Sequence, residues 1–170
     1  MEKTRTRGTL FWAASMIILA TTILVAAVFL RLWRLPFIQI EVLGIRNSPV
    51  HWVGWIGTTY IALYTAFYSL AKRRYPSLMR RLLNFHVLGN LLSVAFISIH
   101  FSHQVTRPPT AYPALGTGVV LYASMILLVL TGFSTRFGYS GSYPKQVRWL
   151  HAATALTFYL SIAMHIIHGI

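Results

Sequence analysis

Five long apolar stretches constrain what this chain can fold into more than any other feature of it. They lie near residues 9–30, 52–71, 82–105, 113–135 and 147–169, and each approaches the roughly 20 residues that a helix needs to cross a hydrocarbon core. Lipid offers no hydrogen-bond partners to a backbone, so such stretches must satisfy their own peptide groups as helices. The expectation is an all-α, integral-membrane helical bundle of five transmembrane helices, with residues 1–170 as a single domain. Composition agrees: 56% of the chain is apolar and 10% charged, against about a quarter charged in soluble domains.

The breaks between stretches are strongly marked. Lys72, Arg73, Arg74, Pro76, Arg80 and Arg81 separate the second from the third, and Arg107, Pro108, Pro109 and Pro113 separate the third from the fourth. The first stretch follows Lys3, Arg5 and Arg7, ends at Arg31, and is longer than a secretory signal core, so it is expected as a retained helix. The longest connection runs from Arg31 to Pro49 and interleaves Trp33, Pro36, Phe37, Ile38 and Ile40 with Arg34, Glu41 and Arg46. Two readings of it stand side by side, an amphipathic segment in the membrane interface and an ordinary loop over helix ends.

Fifteen Lys and Arg face two acids, Glu2 and Glu41. In a soluble chain that balance would suggest nucleic acid; here the cations sit in short runs between apolar stretches and act as topology signals and headgroup contacts. With five spans, the side holding the N-terminus carries eleven basic residues and the other side four, Arg31, Arg34, Arg46 and Arg107. The positive-inside rule then puts the N-terminus in the cytoplasm and the C-terminus outside, in an energy-transducing or plasma membrane. The third and fifth stretches would run the same way.

Several chemistries are excluded by residue type. Without cysteine there is no disulfide, iron–sulfur cluster, thiolate zinc site or thioether-linked c-type haem. Two acids, neither within a stretch, are too few for a di-iron or paired-carboxylate site. No glycine-rich nucleotide motif is present, and a transporter would be expected to show repeats, broken helices or intramembrane acids.

The histidines carry the positive signal. His86 and His100 lie fourteen residues apart on the third stretch, and His151 and His165 fourteen apart on the fifth. Fourteen helical steps come to about 1400°, roughly 40° short of four turns, with a rise of about 21 Å, so each pair shares one face and spans most of the apolar thickness. On parallel helices the pairs become level: His86 with His151 near the cytoplasmic face, and His100 with His165 near the outer face. Six-coordinate haem b takes one imidazole on each side of its iron, and membrane histidines are costly unless partnered. The expectation is two haem b groups, an inner one on His86 and His151 and an outer one on His100 and His165. The plainer reading is that these histidines hydrogen-bond between helices.

His103 and His168 follow the outer residues by three, and pairing them instead with His86 and His151 gives a spacing of seventeen. That rotates the second histidine by about 100°, a poorer fit to one face. With His51 they form an outer trio, read either as a metal, quinone or proton-transfer site or as interfacial histidines bonded to water. Arg80, Arg81 and Arg148 precede the inner histidines, where they would meet haem propionates or serve only as positive-inside determinants. Gly89 would let a macrocycle approach the backbone or simply pack helices. Phe85, Phe96, Phe101, Trp149, Phe158 and Tyr159 would line such sites, or pack and anchor as membrane aromatics usually do.

The runs F-H-V-L-G-N from Phe85, H-F-S-H from His100, W-L-H from Trp149 and M-H-I-I-H-G from Met164 resemble the dihaem membrane domain of ferric reductases and NADPH oxidases. They touch also the wider set of dihaem cytochromes b. The resemblance covers roughly the second to fifth stretches and implies haem ligation by His86, His100, His151 and His165. Members of that family usually add a sixth span and a flavin and nicotinamide domain, which this sequence does not display. The expected function is transmembrane electron transfer as the membrane subunit of a redox complex, rather than a complete enzyme. Its partners would be membrane lipid, other subunits, and separate donor and acceptor proteins or a quinone; quinol oxidation would lack a carboxylate to take the proton. The alternative is a non-catalytic structural or assembly subunit.

Overall fold

In the computed structural model the five stretches are five α-helices: α1 (Glu2–Phe29), α2 (Pro49–Arg74), α3 (Met79–Val105), α4 (Gly116–Phe137) and α5 (Pro144–Gly169). The structure describes residues 2–33, 38–42, 44–107 and 116–169, with side chains from residue 8 to residue 167 of these. Pro36, Phe37, Pro108, Pro109 and Pro113, and the side chains of Lys3, Arg5, Arg7 and His168, lie outside what is described.

Four segments are long and apolar enough to cross a membrane: Gly8–Phe29, Pro76–Val105, Gly116–Phe137 and Pro144–Ile167. The chain is an integral membrane protein built as a helical bundle. Of the five spans expected, α2 is the one that does not qualify. It has 26 residues, but its sequence PVHWVGWIGTTYIALYTAFYSLAKRR mixes Thr, Tyr, Gly and Ser among its apolar residues.

The helices begin and end where local chemistry dictates. Ser48 caps α2 by accepting the backbone N–H of His51, Pro49 occupies the first turn, and Lys72, Arg73 and Arg74 sit in the last, against the negative end of the helix dipole. A 3₁₀ turn at Pro76–Leu78 then leads into α3. At the end of α4, Gly138 takes a left-handed φ of 86°, and the N–H groups of Gly138 and Tyr139 both donate to the Ser134 carbonyl, 3.1 and 2.9 Å away. The described part of the connection before α2 is a short β-hairpin. Ile40–Val42 and Ile45–Asn47 form an antiparallel hairpin, with Glu41 opposite Arg46 and Gly44 at φ 78° in the turn. Its β-branched Ile40, Val42 and Ile45 favour strand, and Gly44 supplies the turn.

Two compact units make up the chain, Met1–Thr110 and Ala111–Ile170. In the first, α1 and α2 both pack on α3. Leu10, Ala14 and Val28 of α1, Ile61 and Ala71 of α2, and Leu91, Ser93, Ser98 and Ser102 of α3 are buried there. Small residues let the backbones approach. A Cβ at Gly57 would lie 2.9 Å from the Ser93 carbonyl oxygen. Tyr60 and Tyr64 reach across from α2, their hydroxyls donating to the carbonyls of Phe85 (3.1 Å) and Leu82 (2.9 Å). In the second unit α4 packs on α5, joined by the tight turn at residues 138–143.

Gly57→Ala is expected to lower stability by about 1–3 kcal/mol, because the new methyl meets backbone that cannot rotate away. Gly116→Ala meets nothing within 4 Å and should unfold as wild type does. Thermal unfolding in detergent checks the contrast.

Candidate functional site

All four paired histidines are half-buried. In the second unit both sit against α4 in the same way. Nδ1 of His151 lies 2.9 Å from Oγ1 of Thr131, and Nδ1 of His165 lies 2.9 Å from Oγ1 of Thr117. The Thr131 hydroxyl donates its own hydrogen to the Leu127 carbonyl at 2.7 Å. Its oxygen therefore accepts from Nδ1–H of His151, and the bare lone pair of that imidazole is left on Nε2. Beside each threonine stands a glycine under the ring: a Cβ at Gly132 would lie 3.2 Å from Cε1 of His151, and one at Gly118 3.6 Å from Cε1 of His165.

In the first unit the supports differ. His86 stacks on Tyr68 with ring centroids 4.6 Å apart and an interplanar angle of 19°. Its Nδ1 lies 3.3 Å from the Asn90 side-chain nitrogen, and Oδ1 of Asn90 is buried without a hydrogen bond. His100 sits over Gly54, where a Cβ would be 3.0 Å from its Cγ. The edge of its ring meets His51 at 4.7 Å between centroids and 75°.

His51 itself is engaged at both nitrogens. Nδ1 lies 2.8 Å from Oγ of Ser48, and Nε2 lies 3.2 Å from the Gln104 side-chain nitrogen. Since Gln104 donates, Nε2 accepts and Nδ1–H donates to Ser48. Of the outer trio, then, His51 braces the first unit. His103 is enclosed at 2% exposure, and the His168 side chain lies outside the described residues.

Gly89 is filled by protein: a Cβ there would run into the Tyr60 hydroxyl. Its place in the structure is a helix-packing one. Arg80 and Arg81 are exposed at the start of α3 and Arg148 in the early turns of α5. Among the aromatic residues singled out, Phe85, Phe96 and Trp149 are exposed, while Phe158 is buried and meets Tyr159 edge-on at 6.3 Å.

Among the described residues no three His, Cys, Asp or Glu side chains converge as a metal cage would need. What each unit offers instead is two imidazoles on one helix, each with its ring supported by a neighbouring helix or side chain. Sequence reasoning missed Thr117, Thr131, Gly118 and Gly132. Their signal was present, a Thr-Gly step recurring after fourteen residues, the interval of the histidines. No protein-family model, curated protein or solved structure matches the chain.

Ser48 and Gln104 act on opposite nitrogens of one ring, so each fixes the tautomer that the other needs. Ser48→Ala and Gln104→Leu are each expected to cost about 1 kcal/mol. A double-mutant cycle on unfolding should give a coupling of about 0.5 kcal/mol or more; strict additivity would show that the two bonds are independent.

Proposed function

We propose that the chain is a transmembrane electron conduit carrying two bis-histidine b-type haems, as the membrane subunit of a redox complex. The observation that carries this reading is the repeated support of His151 and His165 by Thr131 and Thr117 at one distance, 2.9 Å. A histidine serving only to bond helices has no need of a second copy fourteen residues away in the same setting. A metal-ligating histidine does need its other nitrogen held.

In this reading His86 and His151 hold the inner haem, and His100 and His165 the outer one, the grouping that sequence spacing and loop charge suggest. Haem, when bound, would supply a one-electron iron couple at each depth. The chain's own part is to hold the imidazoles, exclude water and place cations near each macrocycle's edge. Arg80, Arg81 and Arg148, exposed near the inner histidines, are suited to propionates.

We read α2 as the fifth span. It runs antiparallel to α3 in contact from Gly54 beside His100 to Tyr68 beside His86, fourteen residues or about 21 Å along each helix. A helix packed along a membrane span over that length shares its depth, and its tyrosine hydroxyls find their acceptors on α3 instead of in water. Five spans then place the N-terminus in the cytoplasm and the C-terminus outside. Electrons would enter from and leave to separate proteins or a quinone.

The competing reading is a structural or assembly subunit whose histidines bond between helices, and His51, engaged at both nitrogens, shows that this chain uses histidine in that way too. Pyridine haemochrome and reduced-minus-oxidised spectra of the purified protein separate the two. Two haems b per chain are expected, with the double variant His86→Ala/His151→Ala retaining one. A colourless protein, or absorbance unchanged in that variant, would sink the conduit.

A further inference from the structure

We propose that Thr117 and Thr131 of α4, with Gly132, are positioning residues for the two α5 ligands. Thr131 holds His151 as the Nδ1–H tautomer with Nε2 as the donor atom, Thr117 stands at the same distance from Nδ1 of His165, and Gly132 leaves room for the His151 ring. The inference rests on the haem reading above and assigns a role in both sites to a helix that supplies no ligand.

The register makes the case. α4 and α5 are antiparallel, so residues facing each other keep a constant sum of numbers; Thr131 with His151 and Thr117 with His165 both add to 282. The two steps therefore meet the two histidines through one and the same packing of the helices, fourteen residues apart on each. Threonines in apolar helices usually bond only the carbonyl one turn back, as Thr21, Thr22 and Thr157 do at 2.8, 2.9 and 3.2 Å. Thr131 makes that bond as well, and it is the bond that frees its oxygen to act purely as an acceptor toward His151.

A neutral imidazole has one N–H and one lone pair, and in hydrocarbon the N–H must find an acceptor. For His151 the Thr131 oxygen is such an acceptor, with the Leu128 carbonyl beside it; loss of the hydroxyl removes one of the two contacts that fix the turn of the ring and the place of its proton. A ligand whose outer nitrogen is unsupported typically holds its metal about 10–100-fold less well. The glycines divide the two sites. A methyl at Gly132 would stand 3.2 Å from the ring of His151, too close without a shift, whereas one at Gly118 would stand at an ordinary 3.6 Å from His165.

The test uses the full chain loaded with haem b in lipid nanodiscs, read by haem retention against apomyoglobin, potentiometric midpoints and low-spin electron paramagnetic resonance g-values. Thr131→Val should move the midpoint and g-values of one haem and weaken its retention about 10–100-fold. Thr117→Val should do the same to the other haem. Thr131→Ser, which keeps the hydroxyl, should behave as wild type; Gly132→Ala should perturb the same haem as Thr131→Val, and Gly118→Ala neither. Two haems unchanged in both valine variants, or Thr131→Ser as disturbed as Thr131→Val, would overturn the threonine assignment and leave the haem reading standing. A colourless wild type would overturn the haem reading itself. Nitrogen-15 histidine spectra of the haem-free protein then decide the threonine contact alone: an Nδ1–H tautomer at His151 that Thr131→Val abolishes supports it, and one that persists overturns it.

Discussion

Hydrocarbon offers nothing for a polar group to bond to, and a polar atom carried into an apolar setting is costly unless it finds a partner within the chain. The backbone meets that demand by becoming helical. Hydroxyls meet it locally, as Thr21, Thr22 and Thr131 do on the carbonyls one turn back, or across helices, as Tyr60 and Tyr64 do on α3. Imidazoles are the demanding case, because a neutral ring carries a donor and an acceptor that cannot both be met by the same atom. His151 and His165 are each met at Nδ1, and His51 at both nitrogens. This difference separates a histidine that braces a fold from one with a lone pair to offer.

Close approach between helices follows from the same demand. For Tyr60 and Tyr64 to reach the α3 carbonyls, α2 must come near, and Gly54, Gly57 and Gly89 remove the side chains that would keep it away. α2 is less apolar than its neighbours because its polar atoms are turned to a protein partner. α1 shows the opposite balance: Trp12, Met16, Leu19 and Ile23 are all exposed, an outer surface suited to lipid tails, while Ala14 is fully buried on the side that packs.

Helix existence was legible in the sequence because length and apolarity alone decide it: α2, α3, α4 and α5 lie within three residues of the stretches that announced them, and α1 begins seven residues earlier, at Glu2. α2, expected as a span, is the helix that falls short in apolarity, since its sequence mixes hydroxyls and glycines among apolar residues. The hairpin at Ile40–Asn47 was not read, because strands of three residues are too short for alternation to register. Gly89 was read with two meanings. No pattern in the sequence could choose between them, since the choice depended on Tyr60, which lies 29 residues away in the chain.

By itself the sequence determined that this is a membrane chain of long helices, that its histidines recur at fourteen residues on two of them, and that cysteine and carboxylate chemistry are absent. These are matters of residue type and interval, which a helix converts directly into depth and face. Only the tertiary structure decided which neighbour each imidazole has: Thr131 and Thr117 on α4 for His151 and His165, Tyr68 and Asn90 for His86, and Gly54 and His51 for His100. The Thr-Gly interval was visible in the chain, but it acquired meaning only once antiparallel packing set α4 in register with α5. Helical periodicity is a property of one segment, whereas the proton on a histidine nitrogen is fixed by an atom that another segment supplies.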